Sequence, residues 1–287
     1  MTAVYKHELS MHFKSMSAYL FSAFILLFAG IYVMMYNLNI GVANFEYAIA
    51  DTKLVYVIVV PLMTMRTIVQ EKNNKTDQLL YSLPLKMRDV VLGKYLALVT
   101  VLALPMAVLC VYPLVLKMYG SVYLPQAYSA IAGLFLLGCA LIAIGMFISS
   151  ITESQIAAAG ISFAVMLLLY MLDSLAEYIP VTANASYYAA TAAVVICVII
   201  LDRMVKDDKI VITSFLLAQA LVSLTFWFHS EWFEGLLGNV VDQISLFERF
   251  EVFTNGLFDL TGVVYLLSVA SVFVFLTVQS MEKRRWS

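Results

Sequence analysis

Long stretches without a charged side chain are the feature that most restricts the fold of this chain. A helix that crosses the hydrocarbon core of a bilayer needs about 20 apolar residues, and an ionised side chain at its centre costs about 2.5–3.5 kcal/mol. Eight windows contain no Asp, Glu, Lys or Arg: Tyr19–Tyr36, Leu54–Met65, Tyr95–Leu116, Tyr128–Ser149, Ile156–Leu172, Tyr187–Leu201, Ile210–Phe228 and Leu260–Met281. Hydrophobic residues make up 63% of the chain, compared with about 45–50% in soluble domains. The sequence therefore predicts an all-α, polytopic helical membrane protein with about eight transmembrane helices.

The second window is the shortest. Leu54–Met65 is flanked by Lys53 and Arg66, whose long side chains can reach the membrane surface and so allow the helix to extend at both ends. A buried or re-entrant segment is the alternative for so short a window. Without this span, every later loop would change sides.

The basic residues predict the orientation in the membrane. Cytoplasmic flanks carry the excess of Lys and Arg. With eight spans and a cytoplasmic N-terminus, three of the 17 basic residues, Lys53, Lys117 and Arg249, lie outside and all the others lie on the cytoplasmic side. We therefore expect both termini to be cytoplasmic.

Residues 1–16 have the pattern of a helix that lies in the membrane interface. Their side chains separate on a helical wheel, with Val4, Tyr5, Leu9, Phe13 and Met16 on one face and Lys6, Glu8, Ser10 and Lys14 elsewhere. A cleaved signal peptide is not indicated, because the first apolar run is too long for one. A frayed tail is the alternative.

No motif in the sequence indicates catalysis. The three histidines form no H-E-x-x-H arrangement, and the three cysteines, Cys110, Cys139 and Cys197, all lie within apolar windows. The Gly93-Lys94 pair lacks the other residues of a phosphate-binding P-loop. We therefore expect no catalytic, cofactor-binding or metal-binding residues in this chain, and no nucleic-acid partner.

Residues 66–94 form the longest predicted cytoplasmic loop. Leu79, Leu80 and Leu83 make an apolar patch before Pro84, and Asp89 can begin the helix that continues into the third window. The basic residues alone would be explained by membrane topology and contact with anionic lipids. A solvated apolar patch favours a cytoplasmic partner instead.

Three stretches resemble a known family. The order Glu71-Lys72, Thr76, Leu79-Leu80, Ser82, Pro84 and Gly93-Lys94-Tyr95-Leu96-Ala97 resembles the first cytoplasmic loop of ABC transporter permeases of the type-2 exporter family. SSITESQIAAA, residues 149–159, is similar to that family's short intracellular turn. FERFEVFTNGLFDLTGVVYLLS and the tail EKRRW resemble its gliding-motility, or Gld-type, branch. Gln70, Lys75 and Gln78 depart from the usual pattern and make the loop less acidic.

The resemblance implies a single permease domain over residues 1–287, in a bacterial inner, or plasma, membrane. It implies a separate cytoplasmic ATP-binding subunit, which binds ATP and Mg, and a second permease copy or a paralogous permease. The loop 66–94 would be the coupling loop. The implied contacts with the ATP-binding subunit are Glu71, Lys72, Thr76, Leu79, Leu80, Pro84, Glu153 and Gln155.

Other functions remain open at this point. A non-transporting membrane scaffold or receptor that anchors a cytoplasmic partner is the main alternative. A secondary transporter is less favoured, because the windows contain no Asp, Glu, Lys or Arg, and Pro105 and Pro113 kink the third window without creating an evident ion site. The class of substrate, whether lipid, peptide, polysaccharide or drug, is not indicated.

Residues 229–259 are predicted to be an external amphipathic segment. It carries six acidic residues, and Trp232, Phe233, Leu236, Leu237, Val240, Val241 and Ile244 recur at helical spacing. A helix lying on or dipping into the outer leaflet explains this pattern. An exit gate or a contact with an accessory membrane subunit is the alternative.

Overall fold

The structure is a computed structural model that describes residues 1–74, 86–176, 182–205, 208–228, 230–256 and 258–286. These residues form helices joined by short turns, with no β-strand among them. The α-helices are α1 (Thr2–Lys14), α2 (Ser17–Val33), α3 (Glu46–Thr64), α4 (Val69–Asn73), α5 (Met87–Leu109), α6 (Tyr112–Tyr119), α7 (Leu124–Ile151), α8 (Gln155–Ala176), α9 (Ala183–Val205), α10 (Asp208–Phe228), α11 (Leu236–Ile244), α12 (Leu246–Thr254) and α13 (Leu260–Trp286). A π-helical segment, Met34–Asn39, continues α2, and a 3-10 turn, Ser230–Phe233, precedes α11. The predicted all-α class is confirmed.

Six helical stretches within the described residues are long and apolar enough to cross a membrane. They are Ser17–Asn39, Glu46–Asn73, Met87–Tyr119, Leu124–Ile151, Gln155–Leu172 and Leu260–Arg284. They correspond to the first five predicted windows and to the eighth. The sixth and seventh windows lie in α9 and α10, and the apolar helix found in α10, Thr213–Phe228, is shorter. The chain is a polytopic helical membrane protein. The predicted total of eight transmembrane helices stays a prediction.

The second span extends beyond its charge-free window at both ends. α3 begins at Glu46, and after a tight turn at residues 65–68 the chain continues into α4. Together they form a 28-residue candidate span, Glu46–Asn73. The flanking Lys53 and Arg66 therefore lie within the helical stretch, as the extension of this window predicts.

The described chain forms two compact units. The first unit contains Met1–Tyr170 and Leu246–Ser287, and the second contains Met171–Ser245. In the second unit, α9 and α10 pack side by side: the Tyr187 hydroxyl lies 3.3 Å from Ser223 Oγ, and its ring lies 4.7 Å from the ring of Phe226. The ring of Phe226 in turn packs edge-on against Phe233 at 5.5 Å.

Helix α7 is the centre of the first unit, where 78% of its apolar window is buried. Its glycines allow neighbouring helices to approach closely, because a glycine at the contact between two transmembrane helices has no side chain to separate their backbones. A Cβ added at Gly138 would lie 2.6 Å from Leu102 Cδ2 of α5 and 2.8 Å from Tyr56 Cε2 of α3. A Cβ at Gly145 would collide with Thr64 of α3. The sequence of α7 therefore leaves room for α3 and α5 against its surface.

Helices α7 and α13 run parallel. Gly133 near the start of α7 and Gly262 near the start of α13 both lie against Phe253, and further along the two helices the rings of Phe147 and Phe273 are 5.7 Å apart. The C-terminal end of α13 therefore lies at the same end of the first unit as Ile151, the last residue of α7.

The structure divides the predicted external segment 229–259, whose first residue lies outside the described residues. The 3-10 turn and α11 belong to the second unit, and α12 belongs to the first. Phe247, Phe250 and Phe253 of α12 are fully buried. The aromatic face of α12 therefore forms part of a helical core, and the external amphipathic segment stays a prediction.

Candidate functional site

A buried lysine joins three helices at the end of the first unit where α7 finishes. Lys94, in the second turn of α5, is 1% exposed. Its Nζ donates hydrogen bonds to Glu8 Oε1 of α1 at 2.6 Å, to Glu71 Oε1 of α4 at 2.7 Å and to the Thr67 carbonyl at 3.2 Å. We call Glu8, Glu71 and Lys94 the buried triad.

The stability of the buried triad depends on the pairing of its charges, because the side chains are buried. Removing a charge from water is costly unless the charge is paired and hydrogen-bonded, and the side chain of Glu8 is only 6% exposed. The lysine ammonium group has three N–H donors, and the Thr67 carbonyl accepts the third hydrogen bond. The triad therefore fixes α1 and α4 against α5 as long as all three side chains are present.

Lys72 makes a second connection, to the end of α7. Its Nζ donates to the Ser150 carbonyl and, at 3.0 Å, to the Thr152 carbonyl. Carbonyl groups at a helix C-terminus lack partners within the helix and carry partial negative charge, so a lysine stabilises them. Ser149 Oγ also accepts from the backbone N–H groups of Ile68 and Val69, at 3.3 and 3.4 Å. The turn between α3 and α4 is therefore joined to the last turn of α7.

Helix α1 packs along the first half of α5. Gly93 gives it room, since a Cβ there would lie 3.1 Å from Val4 Cβ and 3.2 Å from the backbone N of Tyr5. The Tyr5 hydroxyl lies 3.0 Å from Thr100 Oγ1. The predicted N-terminal helix is present, while its position in the membrane interface stays a prediction.

Two residues of the N-terminal segment 1–16 differ from the helical-wheel assignment. Glu8, placed with the polar side chains, is buried at 5% exposure because it pairs with Lys94. Met16, placed on the apolar face, is 75% exposed, because α1 ends at Lys14 and Met16 adopts a left-handed conformation with φ 58°. Burial lowers the pKa of His12, one turn after Glu8, and the nearby Glu8 carboxylate acts in the opposite sense.

The predicted contact residues divide into three groups. Glu71 and Lys72 are half-buried and bind groups of the protein itself, as described above. Glu153 is exposed and Gln155 half-buried at the turn between α7 and α8. The remaining four, Thr76, Leu79, Leu80 and Pro84, lie outside the described residues.

The turn between α7 and α8 presents an apolar surface with a carboxylate at its centre. Ile151 before the turn is 56% exposed and Ile156 after it is 86% exposed. Glu153 and Ser154 between them are also exposed. Lys72 binds the carbonyls at the start of this turn. The turn and the start of the loop 66–94 are therefore joined by the hydrogen bonds of Lys72.

Sequence reasoning did not identify Glu8 and Lys94 as functional residues. The available signal was a lysine at the eighth residue of α5, directly before the charge-free window that starts at Tyr95. A charge within or near the membrane needs a partner. Within the described residues, no group of three or more His, Cys, Asp or Glu side chains could hold a metal ion.

Comparison with known families gives one match. Residues 43–196 match the family model described as ABC-2 family transporter protein, which covers more than half of the 287 residues. This stretch contains Glu71, Lys72, Lys94 and the turn between α7 and α8, whereas Glu8 and α13 lie outside it. A search of curated proteins finds no significant match.

Proposed function

Because this chain belongs to the ABC-2 transporter family, we propose that it is the permease subunit of an ATP-driven exporter. A separate cytoplasmic subunit binds ATP and Mg and hydrolyses the ATP, and this chain provides the membrane path for the substrate. The coupling loop 66–94 and the turn between α7 and α8 receive the ATP-binding subunit. With this arrangement both termini are cytoplasmic.

The observation that carries this proposal is the attachment of both ends of the coupling loop to the helices. Lys72 binds the end of α7, and Lys94 binds Glu8 of α1 and Glu71 of α4. A partner that displaces the loop therefore displaces α1, α5 and α7 with it. A rigid connection of this kind lets binding energy at the loop favour one arrangement of the spans over another.

Glu71 and Lys72 differ from the other predicted contact residues, because they bind groups of the protein itself. We assign Thr76, Leu79, Leu80, Pro84, Glu153 and Gln155 to the contact with the ATP-binding subunit, joined by the exposed Ile151 and Ile156. Glu71 and Lys72 are positioning residues, because their side chains hold the loop on the helices. A desolvated apolar anchor with charged residues at its rim is the usual arrangement of a binding hot spot.

Assembly requires a second permease half. A pathway that opens alternately to the two sides of the membrane forms between two such halves, and this chain supplies one. The partner is a second copy or a paralogous permease, with an accessory membrane subunit at the external side as a further component. The C-terminal resemblance to the Gld-type branch supports a bacterial inner-membrane location.

Introducing charge at the apolar patch is expected to release the ATP-binding subunit. In the Leu79→Asp/Leu80→Asp double variant, two carboxylates would enter an apolar contact, and burying each without a partner costs several kcal/mol. We expect loss of co-purification of the subunit and of substrate-dependent ATP hydrolysis in reconstituted membranes, with normal membrane insertion. Lys75→Gln is the control, since a charge at the rim chiefly affects association rate and salt sensitivity.

Two results would contradict this assignment. Unchanged co-purification in the double Asp variant would show that the patch contacts lipid or the protein's own helices. A parent protein that binds the subunit but moves no solute on ATP hydrolysis would favour the scaffold function.

Cysteine labelling tests the orientation. In a background without Cys110, Cys139 and Cys197, we expect Lys75→Cys and Arg284→Cys to react with a membrane-impermeant maleimide from the cytoplasm. Asp242→Cys should react from the outside. Labelling of position 242 from the cytoplasm alone would exclude the eight-span topology.

A further inference from the structure

Four aromatic residues follow one ridge of α2 and its π-helical continuation. Phe24, Phe28, Tyr32 and Tyr36 are each four residues apart, and side chains at this spacing form a continuous row on a helix surface. The rings of Phe24 and Phe28 are stacked, with centroids 6.2 Å apart and an interplanar angle of 23°. Tyr36 lies in the π-helical segment Met34–Asn39, a type of helix often found at functional sites. We call this row the aromatic ridge.

The ridge forms one wall of a groove. Phe24, Phe28 and Tyr32 face Leu54, Val55, Ile58 and Val59 of α3 across a cavity of about 100 Å³. Phe24 is 45% exposed and Ile58 is 50% exposed, so the groove is open along its side. Both helices are candidate membrane spans, and the surroundings of the groove are therefore the bilayer.

A carboxylate lies at the end of the ridge. The Tyr36 hydroxyl donates a hydrogen bond to Asp51 Oδ2 at 2.6 Å. The centroid of the Tyr47 ring lies 6.4 Å from that of the Tyr36 ring. Asp51 takes part in none of the ion pairs among the described residues, whereas Lys53 two residues later pairs with Glu251. A half-buried carboxylate that accepts a hydrogen bond from one tyrosine, with a second tyrosine ring near the first and no cation of the described residues paired with it, suits an external cation.

The position of Asp51 restricts what that cation can be. Asp51 is the sixth residue of α3, near one end of the candidate span Glu46–Asn73, and the groove includes Ile58 further along the helix. The ends of a span are where we expect the headgroup region of the bilayer. Seven residues of helix cover roughly 10 Å, which is the depth of the upper part of an acyl chain. A ligand that fills both features has a cationic head and an apolar tail.

We propose that this groove binds a phospholipid with a primary ammonium headgroup. Its ammonium group donates hydrogen bonds to Asp51 and lies against the rings of Tyr36 and Tyr47, and one acyl chain lies along the aromatic ridge. A choline headgroup has no N–H to donate to the carboxylate, and an anionic headgroup is repelled by it. The site does not depend on transport, so it can be tested apart from the proposed function.

Lipid retention measures this selectivity directly. The protein is reconstituted into nanodiscs that contain equal parts of phosphatidylethanolamine, phosphatidylcholine and phosphatidylglycerol, and is then extracted in mild detergent. The retained lipid is quantified by mass spectrometry. We expect phosphatidylethanolamine to be enriched several-fold over the other two on the parent protein.

Two pairs of variants separate the head from the tail. Asp51→Asn keeps the shape of the side chain and should abolish the enrichment, while Glu231→Gln, which removes an exposed carboxylate of the second unit, should leave it unchanged. Phe28→Ala should reduce total retained lipid, while Leu27→Ala, an exposed neighbour on α2, should have less effect. Thermal stability is measured on all four variants, and Tyr36→Phe is a second headgroup variant if Asp51→Asn is unstable.

The proposal has clear contrary outcomes. Equal retention of phosphatidylcholine and phosphatidylethanolamine by the parent would overturn the proposal that hydrogen bonds from the ammonium group to Asp51 select the headgroup. Unchanged enrichment in a folded Asp51→Asn variant, or in Tyr36→Phe where it is the variant used, would overturn the site itself.

Discussion

Replacing Lys94 by Ala is expected to destabilise the protein more than any other single removal of a charge described here. The substitution leaves the Glu8 and Glu71 carboxylates facing each other without their common cation, at a position where Glu8 is almost fully buried. Removing one partner of a buried ion pair typically costs about 3–5 kcal/mol. We expect a marked fall in the yield of monodisperse protein and in its thermal unfolding temperature in detergent.

Two comparisons make the Lys94 prediction specific. Lys86→Ala removes an exposed lysine from the residue just before α5 and should leave the unfolding temperature close to that of the parent. A triple variant, Lys94→Met with Glu8→Gln and Glu71→Gln, removes all three charges and should recover most of the lost stability, because neutral replacement of a buried ion network is often tolerated. A Lys94→Ala protein as stable as the parent would mean that the triad contributes nothing to folding.

Gly145→Leu is expected to separate α3 from α7. A Cβ at this position already comes within 3.0 Å of Thr64 Cβ, and Thr64 is fixed by a hydrogen bond from its hydroxyl to the Val60 carbonyl at 3.0 Å. A leucine side chain adds three further carbons in the same space. Overpacking a core typically costs about 1–3 kcal/mol and sometimes more. The expected result is aggregated or degraded protein after expression in membranes.

Gly160→Leu is the matched control for this prediction. Gly160 lies in α8, and a Cβ added there meets no atom within 4 Å. Both variants replace a helical glycine by leucine, so both gain the same intrinsic helix propensity. The difference between their yields, measured by fluorescence-detected gel filtration, therefore reports the contact with Thr64. Equal yields would show that α3 and α7 can move apart without loss of the fold.

The membrane-spanning framework was largely predictable, because the cost of a charge in hydrocarbon marks each span without reference to tertiary contacts. The length of the second span was also predictable, since Lys53 and Arg66 can extend their side chains to the surface. The external segment 229–259 stays a prediction, and the burial of α12 (Leu246–Thr254) within it was not predicted. Glu248, Arg249 and Glu251 suggested a solvated segment, while phenylalanines three residues apart place their rings on one buried face.

The ion pairs of the candidate site could not be predicted from the sequence, and its role as a contact surface stays a prediction. The loop 66–94 was identified from its charges and its apolar patch. The pairing of Lys94 with Glu8 was not, because the two residues are 86 positions apart and nothing in local periodicity connects them. Glu8 falls among polar residues on a helical wheel, and only the packing of α1 on α5 brings its carboxylate to the lysine. Glu71 and Lys72 were identified as important residues, but the structure directs their side chains toward the protein's own helices.

Lys72 and Lys94 lie on either side of segment 75–85 of the coupling loop, and their bonds bear on which residues of the loop can vary. Lys72 and Lys94 are held by α7 and by α1 and α4, so the places where the loop leaves and re-enters the helical body are set by residues outside segment 75–85. None of these bonds involves a residue of that segment. On the proposed function, the residues that recognise an ATP-binding subunit can therefore diverge between related permeases without any change to these bonds, and we expect a graft of segment 75–85 to transfer partner preference.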